Sequence, residues 1–350
     1  MNGFKPRQAA AYNSRPTVHR ALNRREFLRQ VGAAGLMAGT AATMGGALTG
    51  CKSQDSAGGP RFRARPHPAA GEWKNRIGLA KGGDDPGRNV QVAVGKLCGP
   101  DGAKTFIKAG DVVVVKPNIG WPMVPDMGAT VHPEVVAAVV KLCLAAGAAT
   151  VKVFDNTIGT ASKCYEFSGI EKAAREAGAS VFPCAPHRFQ NVRFDDPGVK
   201  RLTEWPLYAD ALTADVLINV AAAKTHNASL VSLCMKNLMG LQGGDRGKMH
   251  QEIHQNLADL NLIVRPTLNI IDATHVLIME GPGGGRKEFA VRADTVVCST
   301  SAVTVDAWAA DPANLPWKQG HHDLAAVKHI LLGAEAGLGT ADPGKIEVAA

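Results

Sequence analysis

The sequence lacks most of the signatures that name an activity. It has no C-x-x-C pair, and after Cys51 no two cysteines lie closer than twenty residues. A ferredoxin-type iron–sulfur cluster is therefore not expected in this chain. No G-x-S-x-G occurs, so the nucleophile elbow of α/β hydrolases is missing. The glycine-rich loop Gly281 to Gly285 has neither a Walker lysine nor G-x-G-x-x-G spacing, and so carries no nucleotide fingerprint. Aromatic residues are scarce at 5%. A charge surplus is also missing where it would matter. The net charge is +8, but the first fifty residues hold Lys5, Arg7, Arg15, Arg20, Arg24, Arg25 and Arg29 against one acid, Glu26. The rest of the chain is nearly balanced, so nucleic acid is not an expected partner.

What remains is globular. The chain has 350 residues, of which 45% are hydrophobic and 38 are glycine, a composition that fits an α/β protein. Residues 23–29 read NRREFLR, with paired Arg24 and Arg25, and an uncharged Ala/Gly-rich stretch runs from Val31 to Leu48. Twin arginines before a weakly apolar stretch mark the Tat export route. The stretch ends LTGC at Cys51, which resembles the lipobox of bacterial lipoproteins. We therefore expect residues 1–51 to be a Tat-type lipoprotein signal, with Cys51 lipidated and the Tat translocon a partner during export. Acyl chains on Cys51 would hold the protein to a membrane on the periplasmic or cell-surface side. Residues 52–74, rich in Pro and Gly, read as a tether, and residues 75–345 as a single domain.

Within that domain the clearest strand is Asp111 to Pro117, whose four consecutive valines imply burial on both faces. A helix from about His132 to Ala146 follows, with Pro133 in its first turn. Then come a strand at Val151 to Phe154, a helix from Cys164 to Ala177 and a strand at Ala179 to Phe182. This rhythm predicts a largely parallel, doubly wound, Rossmann-like sheet with helices on both faces. Residues 185–213 leave room for a hairpin. Cys164 and Cys184 lie nearest to loops, where a disulfide would be tolerated.

The stretch that organises the rest is 214–240. An apolar strand from Val216 to Val220 breaks into small residues. Lys224, Thr225, His226 and Asn227 then follow as a polar cluster just beyond the strand, before a helix-like segment with Lys236 and Asn237. In open parallel sheets ligands bind beyond the carboxyl ends of the strands. Lys224, His226 and Lys236 are thus the candidate catalytic residues. Alternate residues of an extended segment face one side, so Lys224 and His226 could bind a carboxylate or phosphate together, or act as electrostatic stabiliser and base. Lys116, Asn118, Asp155, Asn237, Asp272, Gly281 and Gly283 are the candidate ligand-binding residues. The glycines would contribute backbone N–H groups, and the strand-end acids would contribute carboxylates or merely cap turns. His250 and His254 have the four-residue spacing of a helical metal pair, but H-Q-E-I-H is not H-E-x-x-H. His250 therefore stands as a metal candidate without a firm third ligand, and a divalent ion as the one cofactor to consider.

In chain order these pieces resemble a bacterial and archaeal family named only as domain of unknown function family 362. The stretches that carry the resemblance are VVVVKPNIG (112–120), VHPE (131–134), the segment 147–156, INVAAAKTH (218–226), MKNLMGL (235–241), RPTLNIIDA (265–273), EGPGGG (280–285) and VTVDAWA (303–309). The resemblance implies an α/β domain and lends no chemistry. Some members carry an appended ferredoxin module, which the cysteine spacing here does not supply. The expectation is an exported, lipid-anchored enzyme or cofactor-handling protein that acts on a small anionic ligand. The alternative is a non-catalytic solute-binding or redox-partner lipoprotein. A third reading is a scaffold whose polar cluster only satisfies backbone.

Overall fold

The computed structural model describes residues 61–62, 73–318 and 323–349. The expected export signal and Cys51 lie outside the described residues. The strands, in chain order, are β1 (Arg61–Phe62), β2 (Arg76–Lys81), β3 (Val112–Pro117), β4 (Thr150–Val153), β5 (Ser180–Val181), β6 (Phe189–Phe194), β7 (Glu204–Tyr208), β8 (Val216–His226), β9 (Leu230–Ser232), β10 (Leu268–Leu277), β11 (Ala290–Ser299) and β12 (Glu347–Ala349). The main sheet runs β12-β2-β11-β10-β8-β3-β4-β5, with β9 folded onto β8. Its pairings are parallel except those made by β11 and β9. This is a mostly parallel mixed α/β sheet with helices around it. A second, three-stranded sheet joins β1, β6 and β7. Its β6–β7 hairpin occupies the stretch expected to hold one, and β1 lies in the stretch read as a tether. At the other end β12 extends the sheet past residue 345.

The valine run of β3 explains the layering. Val113 and Val115 pack into the core on one face of the sheet, under helices Pro86–Cys98, Pro133–Ala145 and Ile170–Glu176. Val114 points the opposite way, into the core formed with helix Ile253–Ile263 and the hairpin. Successive side chains of a strand point to opposite faces, so an unbroken apolar run is what a two-sided burial requires. The β3–helix–β4–helix–β5 unit is all parallel, as its rhythm suggests.

Three expectations change in detail. Lys224 and His226 are extended but do not lie beyond the strand: β8 continues through them, and all eleven of its residues are buried. The reason is β9, which turns back so that Lys224 pairs with Ser232 and His226 with Leu230. It supplies the ladder hydrogen bonds that β3 no longer provides. The helix expected over 164–177 breaks at Ser168–Gly169, where Gly169 is left-handed at φ 68. The segment around His250 is a 3-10 run, Arg246–Glu252, and the α-helix starts only at Ile253. β10 carries a register shift against β8 between Asp272 and Leu277. Cys164 and Cys184 are free thiols here, as are the other four described cysteines. Among the described residues no helix is long and apolar enough to cross a membrane.

One contact fixes the short helix Cys234–Asn237, which carries Lys236. The carboxylate of fully buried Asp306 accepts the N–H groups of Cys234 and Met235, both at 2.8 Å. Burial pushes that carboxyl up to about 8, with the backbone N–H groups pulling it the other way. Asp306→Ala would strand two buried donors. It is expected to cost about 2–4 kcal/mol, read as a lowered urea midpoint with an unchanged m-value.

Candidate functional site

The chain leaves β3 on one side for β4 and β5, then returns to β8 and crosses to β10 on the other. This reversal of strand order opens a crevice at the carboxyl ends of β3 and β8. There a row of polar residues crosses three strands, because Lys116, Asn219 and Asn269 are register partners. Lys116 is fully buried, and burial pulls its pKa down. Its partner is Asp155, just beyond β4, whose Oδ1 lies 2.9 Å from the amine. Lys116 also donates to the carbonyl of Pro117 at 3.1 Å and to Asn237 Oδ1 at 2.7 Å. Asp155 Oδ2 in turn accepts the Ile119 N–H at 2.7 Å, which holds the loop after β3.

Asn237 is the hub. Its Oδ1 also accepts from Asn118 Nδ2 at 3.0 Å, and its Nδ2 donates to Asn219 Oδ1 at 2.8 Å and to the Val220 carbonyl at 2.9 Å. Asn219 passes the chain on to the Cys234 carbonyl and to Asn269 Oδ1. Asn118 Oδ1 accepts from Lys224 Nζ at 2.7 Å, and Lys224 also donates to the Ala129 carbonyl. Such a network tolerates burial only when its members are satisfied. Gly240 is forced by it, since a Cβ there would overlap Asp155 Oδ1 and crowd the Lys116 amine.

A cleft of about 310 Å³ opens above this floor. Lys116, Asn118, Asp155, Lys224, His226, Lys236, Asn237 and His250 all line it, so the structure brings together most of the residues singled out from sequence. His226 is buried, and its Nδ1 accepts the N–H groups of Ala228 and Ser229 at 3.1 and 3.3 Å. That geometry puts the ring proton on Nε2. Burial, then the neighbouring Lys236, hold its pKa down at about 3. His226 is thus a neutral imidazole with a donor to offer, not a base. His250 stacks on it with ring centroids 5.7 Å apart.

Lys236 differs from its neighbours. It is half-buried, and among the described residues it has no hydrogen-bond acceptor and no carboxylate partner. Burial first, then Lys116 and Arg246, lower it to about 8. Burial and the charge of Lys236 lower Lys224 to about 7. The charged side chains of the lining are Lys116, Lys224, Lys236 and Arg246, against the single carboxylate of Asp155.

Three candidates stand elsewhere. Asp272 accepts the His132 N–H at 2.6 Å and the Thr274 N–H at 2.9 Å, which ties a loop to β10. The N–H of Gly281 is spent on Thr225 Oγ1 at 3.1 Å. A Cβ at Gly281 would overlap the Thr225 carbonyl, so this glycine serves close packing on β8 rather than anion contact. Gly283 lies against the ring of Trp121. His250 also loses its expected metal partner, because His254 instead stacks on His329, with the two Nδ1 atoms 3.1 Å apart. Among the described residues no three His, Cys, Asp or Glu side chains form a metal-holding group.

Arg246, Trp121, Asn156, Ile158, Ser232 and Met239 also line the cleft, and no sequence pattern marks them for it. Arg246 donates to the carbonyls of Asn156 and Thr157, both at 2.7 Å. Arg246 sits in the polar GGDRG loop four residues before His250, but a loop arginine is ordinarily solvated.

The fold and cleft define an α/β protein with a cationic site at its topological switch point. The chain belongs to the family described as Domain of unknown function (DUF362), whose model matches residues 113–311. All of the cleft-lining residues fall within that match. The chain is 28% identical over 225 residues to the thylakoid-associated protein sll1697 of Synechocystis sp., which covers 61% of this chain and 68% of that protein. Among solved structures, the lactate racemase apoprotein of Thermoanaerobacterium thermosaccharolyticum matches with a TM-score of 0.35 and 11% identity. That alignment covers 60% of this chain and 52% of the racemase, so the chain spans about half of that protein's length. A protein from Thermotoga maritima matches with a TM-score of 0.34 and 12% identity, over 73% of this chain and 60% of that one.

Two outcomes test the electrostatics. Gly240→Ala is expected to cost about 3 kcal/mol or more, by prising apart the Lys116–Asp155 pair, as read by chemical denaturation. Folded Lys236 binds its proton less well than unfolded lysine, so its cost to stability is fully present below about pH 8. That cost is relieved as the pH rises toward the unfolded value of 10.5. Without ligand, Lys236→Met should therefore be more stable than wild type at pH 7, by about 1 kcal/mol after solvent screening. The gap should close between about pH 8 and 10.5. A gap that does not vary with pH contradicts the account.

Proposed function

We propose that this is an exported, lipid-anchored protein that binds a small anionic ligand, a carboxylate or a phosphate, in the cleft and acts on it by acid–base chemistry. The observation that carries the reading is Lys236, an amine without an acceptor among the described residues. It lines a cleft that also holds Lys116, Lys224 and Arg246 against one carboxylate. Lys116 is already matched by Asp155, so the uncompensated charge belongs to the other three. An unpaired charge held partly out of water is costly, and an anion is the group that relieves it.

The side chains divide the work. Lys236 and Arg246 face the ligand's charge. Lys224 is anchored through Asn118 and Ala129 and has a pKa of about 7. It exchanges a proton near neutral pH, as a general base or acid must. His226, neutral and protonated on Nε2, is suited to polarise a carbonyl or to steady a developing oxyanion. A divalent cation would meet one lining carboxylate and a surplus of positive charge, so none of these steps is routed through a metal. The export and lipidation part of the proposal rests on Arg24, Arg25 and Cys51. The Synechocystis relative, whose name ties it to thylakoids, supports a membrane-associated setting.

A thermal-shift screen with inorganic phosphate and small carboxylates should raise the wild-type midpoint by several degrees at millimolar ligand. It should do so less for Lys224→Ala. Once a ligand is found to turn over, Lys224→Ala and His226→Ala should lose turnover while remaining folded. If both variants lose only affinity, and the wild type shows no turnover, the protein is a solute-binding lipoprotein. Metabolic labelling with a fatty acid should mark the full chain and not Cys51→Ser. A labelled Cys51→Ser protein would refute the anchor.

A further inference from the structure

The anion-binding reading leaves the ligand's chemistry open, and the cleft narrows it. Resting on that reading, we propose that the charged end of the ligand is a dianionic phosphoryl group, carried as an organic phosphomonoester whose organic part packs on Trp121.

The charge of the cleft calls for a dianion. Lys116 is neutralised by Asp155. Lys224, Lys236 and Arg246 have no carboxylate of their own in the cleft. A monocarboxylate would offset only one of these charges and leave the others facing each other in a partly desolvated space. A phosphomonoester carries close to two negative charges near neutral pH, its second pKa being about 6.

The supply of donors calls for a phosphoryl group. Lys224 spends two N–H groups, on Asn118 Oδ1 and the Ala129 carbonyl, and keeps one. Arg246 spends one N–H on the Asn156 carbonyl and one on the Thr157 carbonyl and keeps the rest of its fork. Lys236 keeps all of its donors, and His226 offers Nε2–H. A carboxylate has about four acceptor positions, fewer than these groups together supply. The three terminal oxygens of a phosphoryl group accept more, from several directions at once. The donors also come from separate elements, β8, the 234–237 helix and the 246–252 turn. That is how a tetrahedral head is surrounded, rather than a planar one.

The lip of the cleft calls for an organic part. Trp121, Ile158 and Pro282 line the same cleft, and Ile158 is 59% exposed. The Trp121 ring is backed by Gly283, at which a Cβ would sit 3.4 Å from the ring. The glycine-rich loop thus seats an indole at the mouth of a charged cleft. An inorganic ion would leave that apolar rim uncovered, whereas an ester group would cover it.

Calorimetric titration of the full chain at pH 7 with phenyl phosphate, phenyl sulfate and benzoate separates the possibilities. The sulfate copies the shape of the phosphate with one charge fewer. Phenyl phosphate should bind at least ten-fold more tightly than either of the other two. Lys236→Met should erase most of that preference. Trp121→Ala should reduce phenyl phosphate to the affinity of inorganic phosphate, leaving inorganic phosphate itself unchanged. Equal binding of phenyl sulfate and phenyl phosphate overturns the dianion. Tighter binding of benzoate overturns the phosphoryl group. In both of those cases anion binding itself stands. Failure of all three to bind the wild type removes the anion-binding reading along with this one.

Discussion

Lys116 is a fully buried lysine on a central strand of a mostly parallel sheet, and an amine there survives only if its charge and its protons are all met. Asp155 meets the charge, and Asn237 and the Pro117 carbonyl meet protons. That requirement dictates much of what surrounds it. It draws the end of β4 toward the end of β3, and it leaves no room for a side chain at Gly240. It also fixes the amide of Asn237, which orients Asn118 and through it Lys224. Removing Asp155 would leave a buried charge alone, a loss of about 3–5 kcal/mol in comparable pairs.

Because the floor is internally satisfied, the positive charge above it is not needed for folding. Lys224 and Lys236 are both held below the ordinary lysine value, chiefly by burial. Asp306 holds the backbone of Cys234 and Met235 and so keeps Lys236 in place at a cost the fold must carry. Stability sacrificed at one place in an otherwise consistent structure is a mark of function. Here the sacrifice is electrostatic, and an anion would reverse it.

Much of this architecture is legible in the residues. The four valines of β3 announce a strand buried on both faces, and the glycines after two helices mark the parallel unit that follows. The apolar run ending at Lys224 locates the ligand edge, and the Lys236-Asn237 pair marks the segment that packs across it. What the sequence hides depends on partners distant in the chain. Nothing in Leu230–Ser232 says that it will fold back and extend β8 through Lys224 and His226. The spacing of His250 and His254 suggests one helical face, but a 3-10 turn sends each ring to a different histidine. The loop Gly281 to Gly285 looks like an anion cradle, because glycine permits close approach of any group. In this fold the group that approaches is the backbone of β8. Trp121 and Arg246 reach the cleft from loops, where local pattern carries no direction.

The proton balance of anion binding shows whether the cleft lysines meet the ligand. Wild-type protein would be titrated with inorganic phosphate at pH 8, calorimetrically, in buffers of different ionisation heats. An anion that enters the cleft raises the pKa values of Lys224 and Lys236, which stand near 7 and 8 when the cleft is empty. Binding should therefore take up protons from the buffer, and the affinity should fall as the pH rises above 8. Binding with no proton uptake and no pH dependence would contradict the account, because these two lysines would then not be the groups that meet the ligand.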